Sequence, residues 1–80
     1  MITYNVRFVC YQYNCGGSIR NGCITCHEYF KDLEQAKTFY KGIERIIQEK
    51  DSNEFARNYV EDGFVEKPIG IFKITEEKIL

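Results

Sequence analysis

Residues 32–50 form the one long stretch of this chain whose apolar spacing predicts a helix. Its apolar side chains recur three and four positions apart, which places them on one face of a helix with 3.6 residues per turn. They are Leu33, Ala36, Tyr40, Ile43 and Ile47. Asp32 is a favourable N-cap with Gln35 three residues later, and the polar run 51–53 ends the pattern. The rest of the chain must therefore pack against the apolar face of one amphipathic helix.

The segment before the helix predicts a β-hairpin. Residues 2–13 alternate between apolar and polar side chains with the period of two that a half-buried strand requires. Residues 14–22 are rich in Gly, Asn and Ser, which favour turns, and residues 23–30 predict the returning strand.

The segment after the helix predicts a second hairpin. Residues 57–61, with Phe55 as an alternative start, and residues 64–75 read as its strands, and Asp62-Gly63 between them is the strongest two-residue turn signal in the chain. Pro68 cannot donate a ladder hydrogen bond, so it marks an edge, a bulge or a break. The predicted fold is therefore α+β with the order ββαββ, a four-stranded, mainly antiparallel sheet with one helix packed on one face.

Length and charge narrow the class of protein. Eighty residues make a single domain, 1–80, with a high share of Phe and Tyr for its core. A formal net charge of -1 disfavours a dedicated nucleic-acid binder, which needs positive charge against phosphates. No apolar run approaches the roughly 20 residues of a membrane span, and the N-terminus has no signal-peptide pattern. We therefore expect a cytoplasmic protein whose thiols stay reduced.

Four cysteines fall within the first predicted hairpin, with the spacing C-x4-C-x7-C-x2-C. They are Cys10, Cys15, Cys23 and Cys26. A turn at Gly16-Gly17 would place Cys10 opposite Cys23, and four converging thiolates suit one structural zinc ion, with His27 as a further candidate ligand. The alternative is that these are small buried or semi-exposed thiols and that the protein has no cofactor. Disulfides suit a reducing compartment least.

The sequence predicts no enzymatic activity. Residues 23–27 match the C-x-x-C-H pattern of haem attachment, but Met1 is the single methionine and there is no export signal. The same pair of cysteines does not lead into a helix N-terminus, as a redox motif of the thioredoxin type does. Cys26 and His27 are adjacent on a predicted strand and so point to opposite faces, which makes a poor catalytic dyad.

A sheet covered by one helix keeps one open face, and we expect the partner-binding surface there and at the tip of the first hairpin. Tyrosine combines an apolar ring with a polar hydroxyl and is enriched at protein interfaces. The candidate partner-binding residues are Tyr11, Tyr13, Ser18, Arg20 and Asn21. An exposed edge strand would also allow a homodimer.

The chain resembles the small ββαββ proteins encoded by phages and mobile elements of low-GC bacteria, a group that includes many anti-CRISPR and other anti-defence inhibitors. The similar segments are residues 4–8, residues 33–40 and the turn at Asp62-Gly63. The resemblance implies a non-enzymatic protein that binds another protein, such as a host defence nuclease, and blocks it sterically. The alternative is a zinc-stabilised small domain that contacts nucleic acid through basic side chains.

Overall fold

In the part of the chain that the structure describes, three antiparallel strands form a sheet, and two helices cover one of its faces. The structure is a computed structural model that describes residues 2–13, 20–61 and 63–75. The elements in chain order are β1 (Ile2–Tyr13), β2 (Arg20–Phe30), α1 (Leu33–Glu49), α2 (Ser52–Ala56) and β3 (Gly63–Thr75). The order within the sheet is β2-β1-β3, so β1 is central. Among the described residues, no helix is long and apolar enough to cross a bilayer.

The predicted α+β class, with one main helix against an antiparallel sheet, is confirmed, but in the described residues the sheet has three strands and not the four of the predicted ββαββ order, because the predicted third strand does not form. Residues 57–61, predicted as a strand, form turns after α2, where the backbone N–H groups of Tyr59 and Val60 both donate to the Ala56 carbonyl at 2.8 Å. Tyr59 and Val60 pack against the core instead of pairing in the sheet. Their apolar character therefore reflects packing on the sheet, and β3 pairs with β1 instead of with a neighbour in sequence.

Helix α1 begins and ends as its sequence predicts. The Asp32 side chain accepts a hydrogen bond from the Glu34 backbone N–H at 3.1 Å, which satisfies one of the unpaired donors of the first turn. Lys50 closes the helix in the left-handed conformation, with φ of 62°. The Asp51 N–H then bonds the Ile46 carbonyl, which turns the chain into α2.

Phe8 of the central strand is the middle of the core. Its side chain is fully buried, and its ring lies 5.9 Å from that of Phe39 in α1, 6.1 Å from Phe55 in α2 and 4.9 Å from Tyr59. The Tyr59 ring meets it edge-on at 86°, a favourable arrangement for two aromatic rings. One residue of β1 thus holds both helices and the following turn on the same face of the sheet.

Strand β3 is an edge strand with two irregularities beside Pro68. Phe8 pairs with Pro68, and the register shifts once between Arg7 and Phe8 and again between Val9 and Cys10. Each shift inserts one extra residue into β3, Ile69 and Glu66 respectively. The prediction that Pro68 marks an edge or a bulge is confirmed, because proline is tolerated where a ladder donor is not required.

The pairing predicted for the cysteines of the hairpin is wrong. Cys10 pairs with Ile24, and Tyr11 pairs with Cys23. The register also shifts between Tyr11 and Tyr13, and the connection 14–19 lies outside the described residues. An irregularity of one residue in a strand reverses which face each following side chain takes, and the spacing of the cysteines alone does not reveal it.

Gly63, predicted as part of a tight turn, instead starts β3 at a point where the backbone of β1 passes very close. A Cβ atom there would overlap Val60 Cγ2 and the Tyr11 carbonyl oxygen, whereas a Cβ on Gly42, within α1, would meet no atom within 4 Å.

We expect Gly63→Ala to lower the free energy of unfolding by about 1–3 kcal/mol. Gly42→Ala, the matched control, should raise it by about 0.5–1 kcal/mol, because it removes backbone freedom from the unfolded chain without a clash.

Urea denaturation followed by circular dichroism measures both changes. Equal stability of the two variants would contradict the close approach at Gly63.

Candidate functional site

The register of the sheet separates its side chains into a helix-covered face and an open face. Directly paired residues share a face, so the pairs Arg7–His27 and Arg7–Gly70 define the open one. The buried core residues Val6 and Phe8 point to the other face, where the helices lie. The side chains at the centre of the open face are Asn5, Arg7, His27, Tyr29 and Phe72, which we call the Arg7 cluster.

The guanidinium of Arg7 is held on two sides. Its Nε donates a hydrogen bond of 2.6 Å to Oδ1 of Asn5. Its central carbon lies 3.9 Å from the centroid of the Phe72 ring, in the position of a cation–π contact. The Phe72 ring is positioned over Gly70, where a Cβ would come within 3.5 Å of the ring. Two rigid neighbours therefore fix the orientation of a side chain that is otherwise long and flexible.

Asn5 is the polar centre of the cluster and only 1% exposed. Its Nδ2 donates long hydrogen bonds to the carbonyls of Val6, at 3.5 Å, and Glu28, at 3.4 Å. Its Oδ1 lies 3.2 Å from Nδ1 of His27 in addition to accepting from Arg7. An amide oxygen only accepts, so this contact places the His27 proton on Nδ1 and leaves Nε2 for solvent or a ligand. A buried amide thus orients two basic side chains at once.

Two large aromatic side chains of the cluster remain in contact with solvent. Tyr29 is 58% exposed and Phe72 is 37% exposed. The Tyr29 ring is nearly parallel to the His27 ring, at 12° and a centroid distance of 6.3 Å. Exposed aromatic side chains next to an arginine have the composition of the energetically dominant residues of protein interfaces.

The open face is basic although the whole chain has a net charge of -1. Its paired positions include Arg7, His27 and Lys67, which pairs with Val9. No acidic residue occupies a paired position on this face in the described strands. Arg7 forms no ion pair with any carboxylate of the described residues. The paired positions of this face therefore present basic side chains around exposed aromatic rings.

Four of the predicted partner-binding residues, Tyr11, Tyr13, Arg20 and Asn21, belong to β1 and β2 at the end away from the Arg7 cluster. Tyr11 is half-buried and stacks on Phe64 across β1 and β3, with ring centroids 5.6 Å apart and planes at 30°. Tyr13 pairs with Arg20 in the backbone ladder. The structure does not describe the side chains of Tyr13, Arg20 and Asn21. Ser18 lies outside the described residues altogether. Binding at the hairpin tip thus stays a prediction.

The structure brings two of the four cysteines together. Cys10 and Cys26 are buried on the helix-covered face, and their Sγ atoms share a hydrogen bond of 3.1 Å. Cys23 is exposed and, through its pairing with Tyr11, belongs to the opposite face, while Cys15 lies outside the described residues. No group of three or more His, Cys, Asp or Glu side chains in the described part could hold a metal ion. The four-cysteine zinc site stays a prediction.

The same pair of thiols holds its protons tightly. Burial raises the pKa of Cys10 well above its usual range, and the hydrogen bond and charge of Cys26 raise it further. Burial also raises the pKa of Cys26, although the hydrogen bond with Cys10 acts in the opposite direction. Tyr59, whose hydroxyl donates to Glu28 Oε2 at 3.1 Å, has a pKa raised mainly by burial and also by Glu28. All three groups are therefore neutral in the folded protein at neutral pH.

Comparisons with protein-family models, with curated proteins and with solved structures found no match to this chain. The case for a binding site therefore depends on the side chains of the open face themselves.

The Arg7 cluster was only partly visible in the sequence. Alternation in β1 separates Asn5 and Arg7 from the apolar side, which is the available signal. The contribution of Phe72 is not visible, because it depends on β3 lying next to β1 and on the two bulges in their register. The burial of Asn5 follows from this same packing.

The three described thiols should differ sharply in reactivity, because Cys23 is exposed whereas Cys10 and Cys26 are buried. In a Cys15→Ser background, we expect one rapid reaction with iodoacetamide at pH 8 and two slow ones that require opening of the core. Mass spectrometry of digested samples assigns the sites. Cys23→Ser is the control and should remove the fast phase, whereas rapid modification of Cys10 or Cys26 would contradict their burial.

Stability should fall as the pH rises. The folded state holds the protons of Cys10, Cys26 and Tyr59 more tightly than the unfolded chain does, so unfolding releases protons above the ordinary thiol pKa of about 8.5 and the tyrosine pKa of about 10. The stabilisation is therefore complete below about pH 8 and is lost upwards from there.

Urea unfolding between pH 7 and pH 10 measures this decline. The double variant Cys10→Ala, Cys26→Ala should be less stable at pH 7 but show a shallower decline. Parallel curves for the two proteins would count against the raised thiol pKa values.

Proposed function

We propose that this protein is a non-enzymatic binding module that recognises another protein through the open face of its sheet. The observation that carries the proposal is the Arg7 cluster, in which a buried amide and an aromatic ring hold an arginine among exposed aromatic side chains. Ordering a side chain before binding reduces the entropy lost in the complex. Arginine and tyrosine in such a setting commonly dominate the binding energy of an interface.

The geometry of the sheet supports a surface and not a pocket as the binding element. The open face is formed by three long strands, and a rigid sheet presents its side chains at fixed spacings. Exposed aromatic side chains at its centre can pack on a partner while the surrounding polar groups stay hydrated. Binding of this kind would act sterically, by covering a surface that the partner needs.

The narrower hypothesis is that the partner belongs to a bacterial defence system, such as a defence nuclease. It comes from the resemblance of the sequence to phage-encoded anti-defence inhibitors. An inhibitor that works by covering a surface needs a stable face with a few strong anchors, and the Arg7 cluster supplies such anchors. A plaque assay in hosts that carry and lack a given defence system tests this narrower step.

A second candidate function is the binding of single-stranded nucleic acid on the same face. Aromatic rings and arginine on a sheet can stack on bases, which favours this alternative. The net charge of -1 disfavours it, because binding of this class gains much of its free energy from neutralised phosphates. Steep weakening of binding with salt would identify it.

We expect substitutions on the open face to abolish capture of the partner. The double variant Tyr29→Ser, Phe72→Ser removes the two exposed rings of the Arg7 cluster and should reduce capture at least about tenfold. Lys41→Ala, Gln48→Ala on the exposed side of α1 is the matched control and should bind like the wild type. Capture from a bacterial lysate, identification by mass spectrometry and reconstitution with the purified partner provide the measurement.

Equal loss in both variants, or retention in both, would contradict binding through the open face. Circular dichroism and thermal unfolding of each variant establish that a loss of binding is not a loss of fold.

A further inference from the structure

We propose that the Arg7 cluster is a recognition site for a carboxylate, and that the partner presents it as an Asp or Glu beside apolar side chains in an acidic segment. This inference rests on the proposed function and specifies the chemistry of the partner. It follows from three features of the cluster: the fixed guanidinium, the shared amide and the one-sided charge of the face.

The guanidinium is presented in the way that a carboxylate requires. Nε of Arg7 is occupied by Asn5 and one flat side is covered by Phe72, which leaves the N–H groups of the two Nη atoms without a partner among the described residues. The Nη groups of arginine form a planar fork that matches the two oxygens of a carboxylate. Since Arg7 is half-buried and its guanidinium is held by Asn5 and Phe72, the fork is oriented before the partner binds.

His27 lies beside Arg7 and would add a second donor for a carboxylate only when its ring is protonated. It is the cross-strand neighbour of Arg7, and both side chains meet the same oxygen of Asn5. Neutral His27 keeps Nε2 as an acceptor for a protonated or hydroxyl group of the partner, and a protonated ring would add a charge-assisted donor. Asn5 is thus a positioning residue, which sets the geometry of two side chains without contacting the ligand itself.

The distribution of charge selects an acidic partner. The open face includes Arg7, His27 and Lys67 and has no acidic residue at its paired positions, whereas in the whole chain Asp and Glu together outnumber Lys and Arg by one. Of the acidic residues in the described strands, Glu28 pairs with Val6 on the helix-covered face, and Glu66 is the extra residue of β3 beside Lys67. An acidic segment would therefore be attracted more strongly to the open face than to the rest of the protein surface. This difference favours one orientation of binding.

The aromatic surroundings favour a protein segment over nucleic acid. Phe72 lies directly against the guanidinium and the Tyr29 ring lies next to His27, so a carboxylate bound at Arg7 would bring its neighbouring side chains close to two exposed rings. A nucleic-acid strand gains affinity by engaging many phosphates along its length, which requires a track of basic residues. The single central arginine fits one anionic group flanked by apolar contacts.

Selection from a phage-displayed library of random twelve-residue peptides on the immobilised wild-type protein tests the proposal. We expect the enriched peptides to share an Asp or Glu next to aromatic or aliphatic residues. For a synthetic peptide of the enriched sequence, Arg7→Met should weaken binding at least about tenfold, and Arg7→Lys should recover only part of it, because lysine lacks the fork. Lys41→Met on α1 removes the same charge elsewhere and is the matched control.

A measurement on the wild-type protein guards against a variant that fails to fold. The Nε–H of Arg7 is hydrogen-bonded and should give a resolved NMR resonance, which we expect to shift on addition of the acidic peptide and not on addition of its Asn or Gln counterpart. An unchanged resonance at saturating peptide would overturn the proposal even if Arg7→Met loses binding.

The possible results separate this inference from the proposed function. Enriched peptides without acidic residues that nevertheless lose binding in Tyr29→Ser, Phe72→Ser would overturn carboxylate recognition and leave the open face as a binding surface. If no selected peptide depends on the open face for its binding, both the carboxylate inference and the proposed function are overturned. Salt-sensitive binding of a fluorescent twelve-nucleotide single strand through Arg7, without enrichment of acidic peptides, would overturn the inference in favour of nucleic acid.

Discussion

The structure depends on the position of Phe8 in the central strand. Its buried ring contacts aromatic rings of α1, α2 and the turn that follows them, so one side chain fixes both helices on one face of the sheet. A domain of this size buries a small core, and aromatic side chains give a large buried area per residue. Because both described helices pack on one side, they leave the opposite face of β1 uncovered, and the alternation of the same strand that buries Phe8 presents Asn5 and Arg7 there.

The two faces of β1 have different physical roles. On the covered side, burial keeps Cys10, Cys26 and Tyr59 neutral and makes the core a set of groups that resist ionisation. On the open side, Asn5 is as buried as the core but is used to hold charged and aromatic side chains in place. A buried amide of this kind is costly unless its hydrogen bonds are made, and here they are made with the backbone and with the two basic residues that it orients.

Much of the local structure follows from local sequence. The helix with its Asp32 cap, the alternation of β1 and the edge position of Pro68 each rest on a short-range rule and are confirmed. The third predicted strand fails because Tyr59 and Val60 have a β-like composition, while the chain around them closes turns onto Ala56. An apolar side chain indicates that a residue will be buried. It does not indicate whether the residue lies in a strand of the sheet or packs on the face of the sheet.

The sequence by itself determined the class of the domain, its main helix and the two faces of its first strand, because periodicity and capping act over a few residues. Only the tertiary structure decided that β3 lies beside β1, that Cys10 meets Cys26 and not Cys23, and that Phe72 supports Arg7. These contacts join residues far apart in the chain, and bulges of one residue set their register. Since a shift of one position exchanges the faces of a strand, such contacts are fixed by the packing of the whole sheet on its helices.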